Sequence, residues 1–555
     1  RLNQGFTHII PKQTISMSSM PSLFFSRCLV WVNGLLALWM TCLANTTFLH
    51  TLYTLTPYSG LQAGLFLTSA FVLLWAYLNL LLQLTTWGVL ARPIQSLLLV
   101  CCAVGAYSID TLGVGVDSGQ ILNLMQTDPS EVRDLLNGEL LAYVAIIMAL
   151  PLFWLWYKPL EPVGIVQNLK YRAYSIVLSL VLIGTVAMVF YVDYAAIFRE
   201  HRQIRYIVNP TNSVNAIINY SQRHVVIKKL PLVRYGEDAT RIPSPNAKPV
   251  LMVLVIGETA RAESFGINGY ARNTTPELAK KPLINFTQTS SCGTATAVSL
   301  PCIFSGFTRD DYDGELTEHR EGLLDILQRA GYQVTWIDNN SGCKGACDRV
   351  HNQPLLPART TAWCVDGECQ DDLLLETFTE YLKTAPTQDR VIVLHQAGSH
   401  GPAYYRRYPK AFEKFTPVCN TNAIQGCSQQ ALINTYDNTI AYTDYIVAQT
   451  IDVLAAQAKN YQTALWYVSD HGESTGEHGL YLHGAPYVFA PSQQTHVPMF
   501  AWLSPNFSVT HLEKTHCLEQ KQQTVTSHDN VFHTLLGLLA VKTAVYDAGL
   551  DLSAC

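Results

Sequence analysis

Long apolar runs fill the first third of the chain, and shorter ones separated by polar and amphipathic stretches fill the rest. From Cys28 through Leu90 no acidic or basic residue occurs, only His50, and the run is broken near Thr56 to Gly60. That length predicts two membrane helices of ~20 residues each with a short connection. Three further spans are predicted at Pro93–Ile109, Leu140–Tyr157 and Ala173–Val192. The first of these is short for a crossing and suits a tilted or partly interfacial helix. Five such runs in series argue against helices buried in a soluble core.

Beyond Tyr194 the pattern changes. A polar stretch extends to about Lys248 and ends in I-P-S-P-N-A-K-P, which reads as a linker. Strands are predicted at Val250–Ile256, Gln333–Ile337, Arg390–His395, Thr463–Ser469 and Pro498–Leu503, alternating with helical stretches such as Glu321–Ala330 and Ala431–Ala456. The alternation argues a mostly parallel sheet with helices on both faces. The expected organisation is an N-terminal segment at 1–27, a five-span membrane domain at 28–193, a connecting region at 194–248 and an α/β domain at 249–555. Arg1 to Ser16 reads as upstream or non-native sequence, with Met17 and Met20 as candidate starts.

Charge sets the orientation. Arg27, Arg92, Lys158, Lys170 and Arg172 flank the spans on one side, which marks the cytoplasm and places everything after Asp193 outside, in the periplasm of a Gram-negative cell. At 555 residues, 49% hydrophobic and only 14% charged, the chain is too long and too apolar for a single soluble domain. A net charge of -5 gives no reason to expect a nucleic-acid partner.

Cys28, Cys42, Cys101 and Cys102 fall in the spans as packing residues, and the other ten cysteines lie beyond Asp193. An even number in an exported domain implies disulfides. Close spacing suggests Cys292 with Cys302, Cys343 with Cys347, Cys364 with Cys369 and Cys419 with Cys427, which leaves Cys517 and Cys555 either paired or free. A cysteine zinc site is disfavoured, because the C-x3-C and C-x4-C pairs lack histidines at finger spacing.

The candidate chemistry sits at strand ends. Glu258 closes V-L-M-V-L-V-I-G-E-T, and Asp470 and His471 repeat the arrangement in T-A-L-W-Y-V-S-D-H-G. In open α/β sheets ligands gather beyond the carboxyl ends of the strands, so these groups are predicted to converge. In S-C-G-T-A-T-A-V-S-L-P-C, Ser291 to Cys302, two threonines occupy a small-residue run that can open a helix, whose first N–H groups attract anions. A threonine hydroxyl is a poor nucleophile near neutral pH, and metal coordination is one of the few ways to activate it. Zinc suits carboxylate, imidazole and hydroxyl ligands better than magnesium, with manganese left open. Singly, each of these residues reads as a turn or cap.

Five ordered blocks carry a family resemblance: I-G-E-T-A-R-A-E-S-F-G-I-N-G-Y from Ile256, the Ser291 block, D-N-N-S-G-C-K-G-A-C-D-R-V from Asp338, H-Q-A-G-S-H-G-P-A-Y-Y from His395, and S-D-H-G-E-S-T-G-E-H-G-L-Y-L-H-G from Ser469. With them the chain resembles, over nearly its whole length, the lipid A phosphoethanolamine transferases, the EptA and MCR colistin-resistance group of the alkaline-phosphatase-like superfamily. The resemblance implies a five-helix transmembrane domain followed by a periplasmic α/β domain of alkaline-phosphatase/sulfatase-like fold, in an inner-membrane enzyme working as a monomer. It implies Thr296 as nucleophile, with Glu258, Asp470, His471 and the Thr296 oxygen holding one zinc ion. His395, His400 and His483 would surround the site as proton donors or acceptors, or hold a further ion, and Lys344 and Asn340 would hold phosphate oxygens. The segment Ile121 to Arg133 resembles the ethanolamine-binding segment, where Asn123, Thr127 and Glu131 recur every four residues and Ser341 would complete the pocket. Phosphatidylethanolamine would be the donor and lipid A the acceptor. A related transferase placing phosphoethanolamine or phosphoglycerol on another periplasmic glycan is the alternative. A binding protein with a dead site is disfavoured, because every expected ligand and nucleophile position is filled.

Overall fold

The structure, a computed structural model, describes residues 28–56, 58–126, 132–133, 135–157, 160–161, 163–227, 231–242, 247–357, 363–365, 368–384 and 387–555. Helices α1 (Leu29–Leu43) and α2 (Thr46–Leu55) form one apolar pair bent by 60°. The bend has a local cause in Asn45. Its side chain donates to the Met40 carbonyl at 3.0 Å and exchanges hydrogen bonds with the Asn209 backbone at 3.1 and 2.9 Å. A side-chain amide thereby takes over backbone partners that a continuous helix would have satisfied internally.

Four more helical rods are long and apolar enough to cross a membrane: α3 (Gly60–Thr85), α4 (Ala91–Leu112) with the 3-10 turn before it, α6 (Gly138–Val144) running through a π turn into α7 (Leu150–Tyr157), and α8 (Ile165–Glu200). The short helix α5 (Ser118–Gln126) lies between α4 and α6. Helix α9 (Thr211–Ile227) follows α8.

Two expectations need correction. The third span is not short: the helical stretch Gly88–Leu112 is 25 residues long. Its charged ends disguised it. Asp110 lies inside the helix with its carboxylate taking hydroxyl donors from Thr46, Thr47 and Tyr143. The last span likewise does not begin after Arg172, because its helix starts at Ile165. Arg172 lies within α8 at 2% exposure, stacks 3.9 Å from the Trp87 ring centroid and donates to the Gln83 and Thr86 carbonyls, capping the last turn of α3.

The second domain is built on an eight-stranded sheet. In chain order its strands are β1 (Val250–Gly257), β2 (Leu283–Ser290), β3 (Gln333–Asp338), β4 (His351–Gln353), β5 (Arg390–His395), β6 (Gln462–Ser469), β7 (His496–Leu503) and β8 (Thr526–Ser527). Across the sheet the order is β8-β2-β7-β6-β1-β5-β3-β4, parallel from β6 to β4, with β7 antiparallel to both its neighbours. Alternate residues of β1 feed two cores. Val250, Met252, Leu254 and Ile256 face α10 (Thr296–Ser305), α11 (Leu323–Arg329) and, further along the chain, α14 (Asp529–Leu538). Leu251, Val253 and Val255 face α12 (Asp372–Thr384) and α13 (Gln429–Gln457). A strand covered on both faces reads as an unbroken apolar run. Each such side chain contributes roughly 1.5–3 kcal/mol on full burial.

Five disulfides are formed among the described residues: Cys292–Cys302, Cys343–Cys347, Cys364–Cys369, Cys419–Cys427 and Cys517–Cys555. The first ties the segment entering α10 to the helix itself, and the last staples the C-terminus. Cys28, Cys42, Cys101 and Cys102 of the membrane domain take part in none of these disulfides.

Candidate active site

Strand register brings the chemistry together. Gly257 of β1 pairs with Ser469 of β6, Ile256 with His395 of β5, and Asp338 of β3 with the same His395. Four strands therefore end on one line, and Glu258, Asp470, His395 and Asn340 leave the sheet at that edge. Ligand sites of open α/β sheets form there.

Thr296 is the first residue of α10, and its Oγ1 lies 3.1 and 3.3 Å from the two Glu258 carboxylate oxygens and 3.3 Å from His471 Nε2. The neighbouring Thr294 points elsewhere, donating its hydroxyl to the Ala485 carbonyl at 2.7 Å. Glu258, Asp470 and His471 are all buried, and one ligand atom from each lies within 4.8 Å of the others. Asp470 Oδ1 accepts from the Thr259 N–H at 3.1 Å, whereas its Oδ2 has no hydrogen-bond partner. That oxygen lies 3.3 Å from His471 Nε2, and a buried carboxylate oxygen with no hydrogen-bond donor suits a cation shared with that nitrogen.

The electrostatics say the same. Burial pushes the His471 imidazole down, but Asp470 and Glu258 outweigh it and carry it up to about 10. Burial, then Glu258, pushes the Asp470 carboxyl up to about 6. Burial opposes ionisation of Glu258, yet the imidazoles led by His471 hold it well below the usual carboxylate range. Nδ1 of His471 lies 2.9 Å from the Gly472 carbonyl, which can only accept, so Nδ1 carries a proton and Nε2 faces Thr296. The donor set of two carboxylates, an imidazole and a hydroxyl, with a fixed tautomer, fits a divalent ion of the zinc type.

The backbone is strained at this edge. Thr259 is β-branched and has φ of 58°, a conformation its surroundings hold by the Asp470 bond and by Tyr436 OH donating to its carbonyl at 2.8 Å. Gly398 passes under Glu258 with φ of 53°, and a Cβ there would meet the Glu258 carbonyl at 2.6 Å. Asp371 accepts from the Ala397 and Gly398 N–H groups at 2.9 and 3.1 Å, fixing that loop.

Polar and ionisable side chains surround the cluster. Asn340 Nδ2 donates to Glu258 Oε2 at 2.7 Å and to the Gln396 carbonyl at 2.9 Å, and lies 3.3 Å from His395 Nε2. His395 is fully buried, with Nδ1 3.2 Å from Asp338; burial lowers its pKa, and Asp338 outweighs this and raises it. His483 Nδ1 lies 2.9 Å from Glu473 Oε2, and its ring is 4.5 Å from that of His471 and 5.2 Å from that of His400. Burial above all pushes His400 down to about 3, so it is neutral.

The site opens toward the membrane domain. His400 and His483 line a cavity of about 110 Å³ with Ser108, Leu112, Gln120 and Asn123. Gln120 donates to the Gly484 carbonyl. Lys344 donates to Ser341 Oγ at 2.9 Å and to the Ser341 and Gln126 carbonyls at 3.0 Å, so it bridges the 341–344 loop to α5. Thr127 and Glu131 lie outside the described residues. Sequence reasoning passed over Thr259, Asp338, Asp371 and Glu473. Of these only Glu473 carried a signal, two residues after His471.

A sequence model of the Sulfatase family matches residues 251–541, and one described as phosphoethanolamine transferase EptA/EptB matches residues 74–225. Phosphoethanolamine transferase EptA of Escherichia coli (strain K12) is 42% identical over 530 residues, 94% of this chain and 96% of that protein. Phosphatidylethanolamine transferase Mcr-1 of Escherichia coli is 36% identical over 515 residues, 91% of this chain and 94% of that one. The integral membrane lipooligosaccharide phosphoethanolamine transferase A of Neisseria meningitidis superposes with a TM-score of 0.91 at 35% identity, covering 95% of this chain and 98% of that structure. A membrane bundle joined to a sulfatase-type α/β domain, with a threonine set among buried metal-type ligands, accordingly places the chain in the EptA/Mcr family of phosphoethanolamine transferases.

Proposed function

We propose that the chain moves phosphoethanolamine from phosphatidylethanolamine to lipid A by double displacement at Thr296, with zinc held by Glu258, Asp470 and His471. The carrying observation is Thr296 Oγ1 at the open end of α10, within 3.1–3.3 Å of Glu258 and His471. Zinc on these ligands would supply the positive charge that makes a threonine hydroxyl acidic enough to attack near neutral pH.

Thr296 Oγ1 bonds to the donor phosphorus as the bond to the glycerol oxygen breaks, and diacylglycerol leaves carrying a proton. An oxygen of lipid A then attacks the phosphothreonine, and Thr296 takes its oxygen back as the hydroxyl. The first N–H groups of α10 are the donors assigned to the phosphoryl oxygens, while Asn340, whose amide already donates to Glu258 and the Gln396 carbonyl, would take up phosphate only by giving up one of these bonds. His483, oriented by Glu473, is the group for protonating the glycerol oxygen, with His395 held behind the cluster by Asp338. His395, His400 and His483 are also the set for a further ion. Asn123, Thr127, Glu131 and Ser341 are assigned to the ethanolamine group, and Lys344 anchors that side of the site to α5. Both substrates are lipids, which gives the membrane domain its purpose. We place the protein in the inner membrane as a monomer, N-terminus in the cytoplasm and α/β domain in the periplasm. Masking lipid A phosphate charge with an amine would lower its affinity for polymyxins such as colistin.

Mass spectrometry of lipid A from cells making the protein is expected to show an added phosphoethanolamine, absent when Thr296→Ala replaces it. No added mass in either strain would exclude lipid A as the acceptor. Glu473→Gln keeps the shape but removes the carboxylate beside His483 Nδ1. It is expected to lower kcat by about 10–100-fold with little change in donor KM, as outer-shell partners of histidines usually do. Unchanged kcat would remove His483 from the acid role.

A further inference from the structure

A long cavity of about 890 Å³ lies between α3, α4 and α9 and shares no lining residue with the cavity beside His400 and His483. It falls within the size range of small-molecule sites. One part of its wall is apolar, made by Leu81, Ile94, Leu97 and Leu98 of the membrane spans. The other is polar, made by Asp117, Arg205, Asn212, Asn215 and Asn219. Ile94 lies about 27 Å along α4 from Leu112, at 1.5 Å per residue, so the groove extends deep beside the spans while its polar end follows their outer ends.

We propose that this groove seats one diacyl phospholipid with an amine-bearing zwitterionic headgroup, its acyl chains along α3 and α4, its phosphate at Arg205 and its ammonium at Asp117. Three observations carry this. The groove's apolar wall belongs to membrane-spanning helices, so lipid is the solvent that reaches it. Arg205 offers an exposed guanidinium at the polar end, donating to Tyr206 OH and lying 4.6 Å from that ring's centroid. Asp117 puts a carboxylate in the same polar end, where it also caps α5 through the Gln120 N–H at 3.0 Å. A cation alone would favour an anionic lipid. A cation and a carboxylate together favour a zwitterion and repel an anionic head that has no amine.

Asp117 at the headgroup end caps α5, whose Gln120 and Gln126 reach Gly484 and Lys344 on the active-site side. A lipid seated there stands beside the site that the proposed reaction uses. The choice of headgroup, however, rests on Arg205 and Asp117 and not on the transfer activity.

The test uses full-length Thr296→Ala protein in detergent, so that turnover cannot consume the probe. Native mass spectrometry follows titration with phosphatidylethanolamine or phosphatidylglycerol of identical chains. One retained lipid that Leu97→Trp removes is expected, with at least a fivefold preference for phosphatidylethanolamine in that Leu97-sensitive fraction. Arg205→Ala should weaken it about tenfold, and Leu97→Trp, which fills the apolar wall, should remove it, whereas a donor bound at the Thr296 site would survive Leu97→Trp. Asp117→Asn keeps a good helix cap and should abolish the preference. Equal retention of the two lipids in the Leu97-sensitive fraction, a preference of that fraction that survives Asp117→Asn, or an unchanged lipid count in Leu97→Trp at unchanged thermal unfolding would each overturn the proposal.

Discussion

Thr296→Ala is expected to abolish phosphoethanolamine transfer, lowering turnover by about 10⁴-fold or more, with the α/β domain still folded. On the proposed mechanism the loss is of the attacking atom itself. Thr294 does not replace it, being turned to the Ala485 carbonyl, and Thr259, whose Oγ1 is held to Glu258 Oε1 at 2.6 Å, is not at a helix start. The structural cost is small: a hydroxyl and a methyl at the first position of a helix, and about 1 kcal/mol for a lost hydrogen bond. Thr296→Ser keeps the oxygen but loses the β-branch that fixes χ1, so partial activity is expected. Intact-protein mass spectrometry after exposure to phosphatidylethanolamine should show one phosphoethanolamine adduct on the native protein and none on Thr296→Ala. An adduct on the alanine variant, or transfer at the native rate, would end the nucleophile assignment.

How much of this was readable beforehand follows from which interactions are local. β1, β5 and β6 are central parallel strands buried on both faces, so Val250–Gly257, Arg390–His395 and Gln462–Ser469 announce themselves as apolar runs. β2 was missed because L-I-N-F-T-Q-T-S is buried on one side only and lies between antiparallel β7 and two-residue β8. Glu258 and the Asp470-His471 pair were visible for a simple reason: each directly follows a readable strand, and strand register makes them neighbours. Asp338, Asp371 and Glu473 act across the sheet edge on His395, the Gly398 loop and His483, relations that no spacing encodes. Arg172 and Asp110 misled in the opposite direction. A charge in an apolar stretch looks like the end of a span, yet here Arg172 is satisfied by carbonyls and a tryptophan face, and Asp110 by hydroxyls.

Removing divalent metal is expected to stop turnover and loosen the α/β domain, and zinc is expected to restore both. Glu258 and Asp470 are buried with a ligand oxygen of each within 4.8 Å of the other, and two like charges that close repel by about 3–4 kcal/mol at an effective dielectric constant of about 20. Without a cation the pocket answers by holding protons, which is why the Asp470 carboxyl rises to about 6 and the His471 imidazole to about 10. The sign follows. Both groups bind protons more tightly folded than unfolded, so their contribution is complete at low pH. The Asp470 part is lost as pH rises through about 6 and the His471 part as pH rises through about 10. Zinc needs the same ligands deprotonated, so its stabilising effect should be larger at pH 8 than at pH 5. At free zinc of 100 times Kd the gain is about 2.7 kcal/mol, enough to raise the thermal unfolding midpoint by several degrees. Magnesium should restore neither property as well, because one ligand is an imidazole. Elemental analysis of the stripped protein, unfolding curves at both pH values and transfer assays before and after zinc would decide it. Undiminished transfer in protein verified to be free of metal would exclude a metal-dependent Thr296, and a zinc shift larger at pH 5 than at pH 8 would exclude Asp470 and His471 as its ligands.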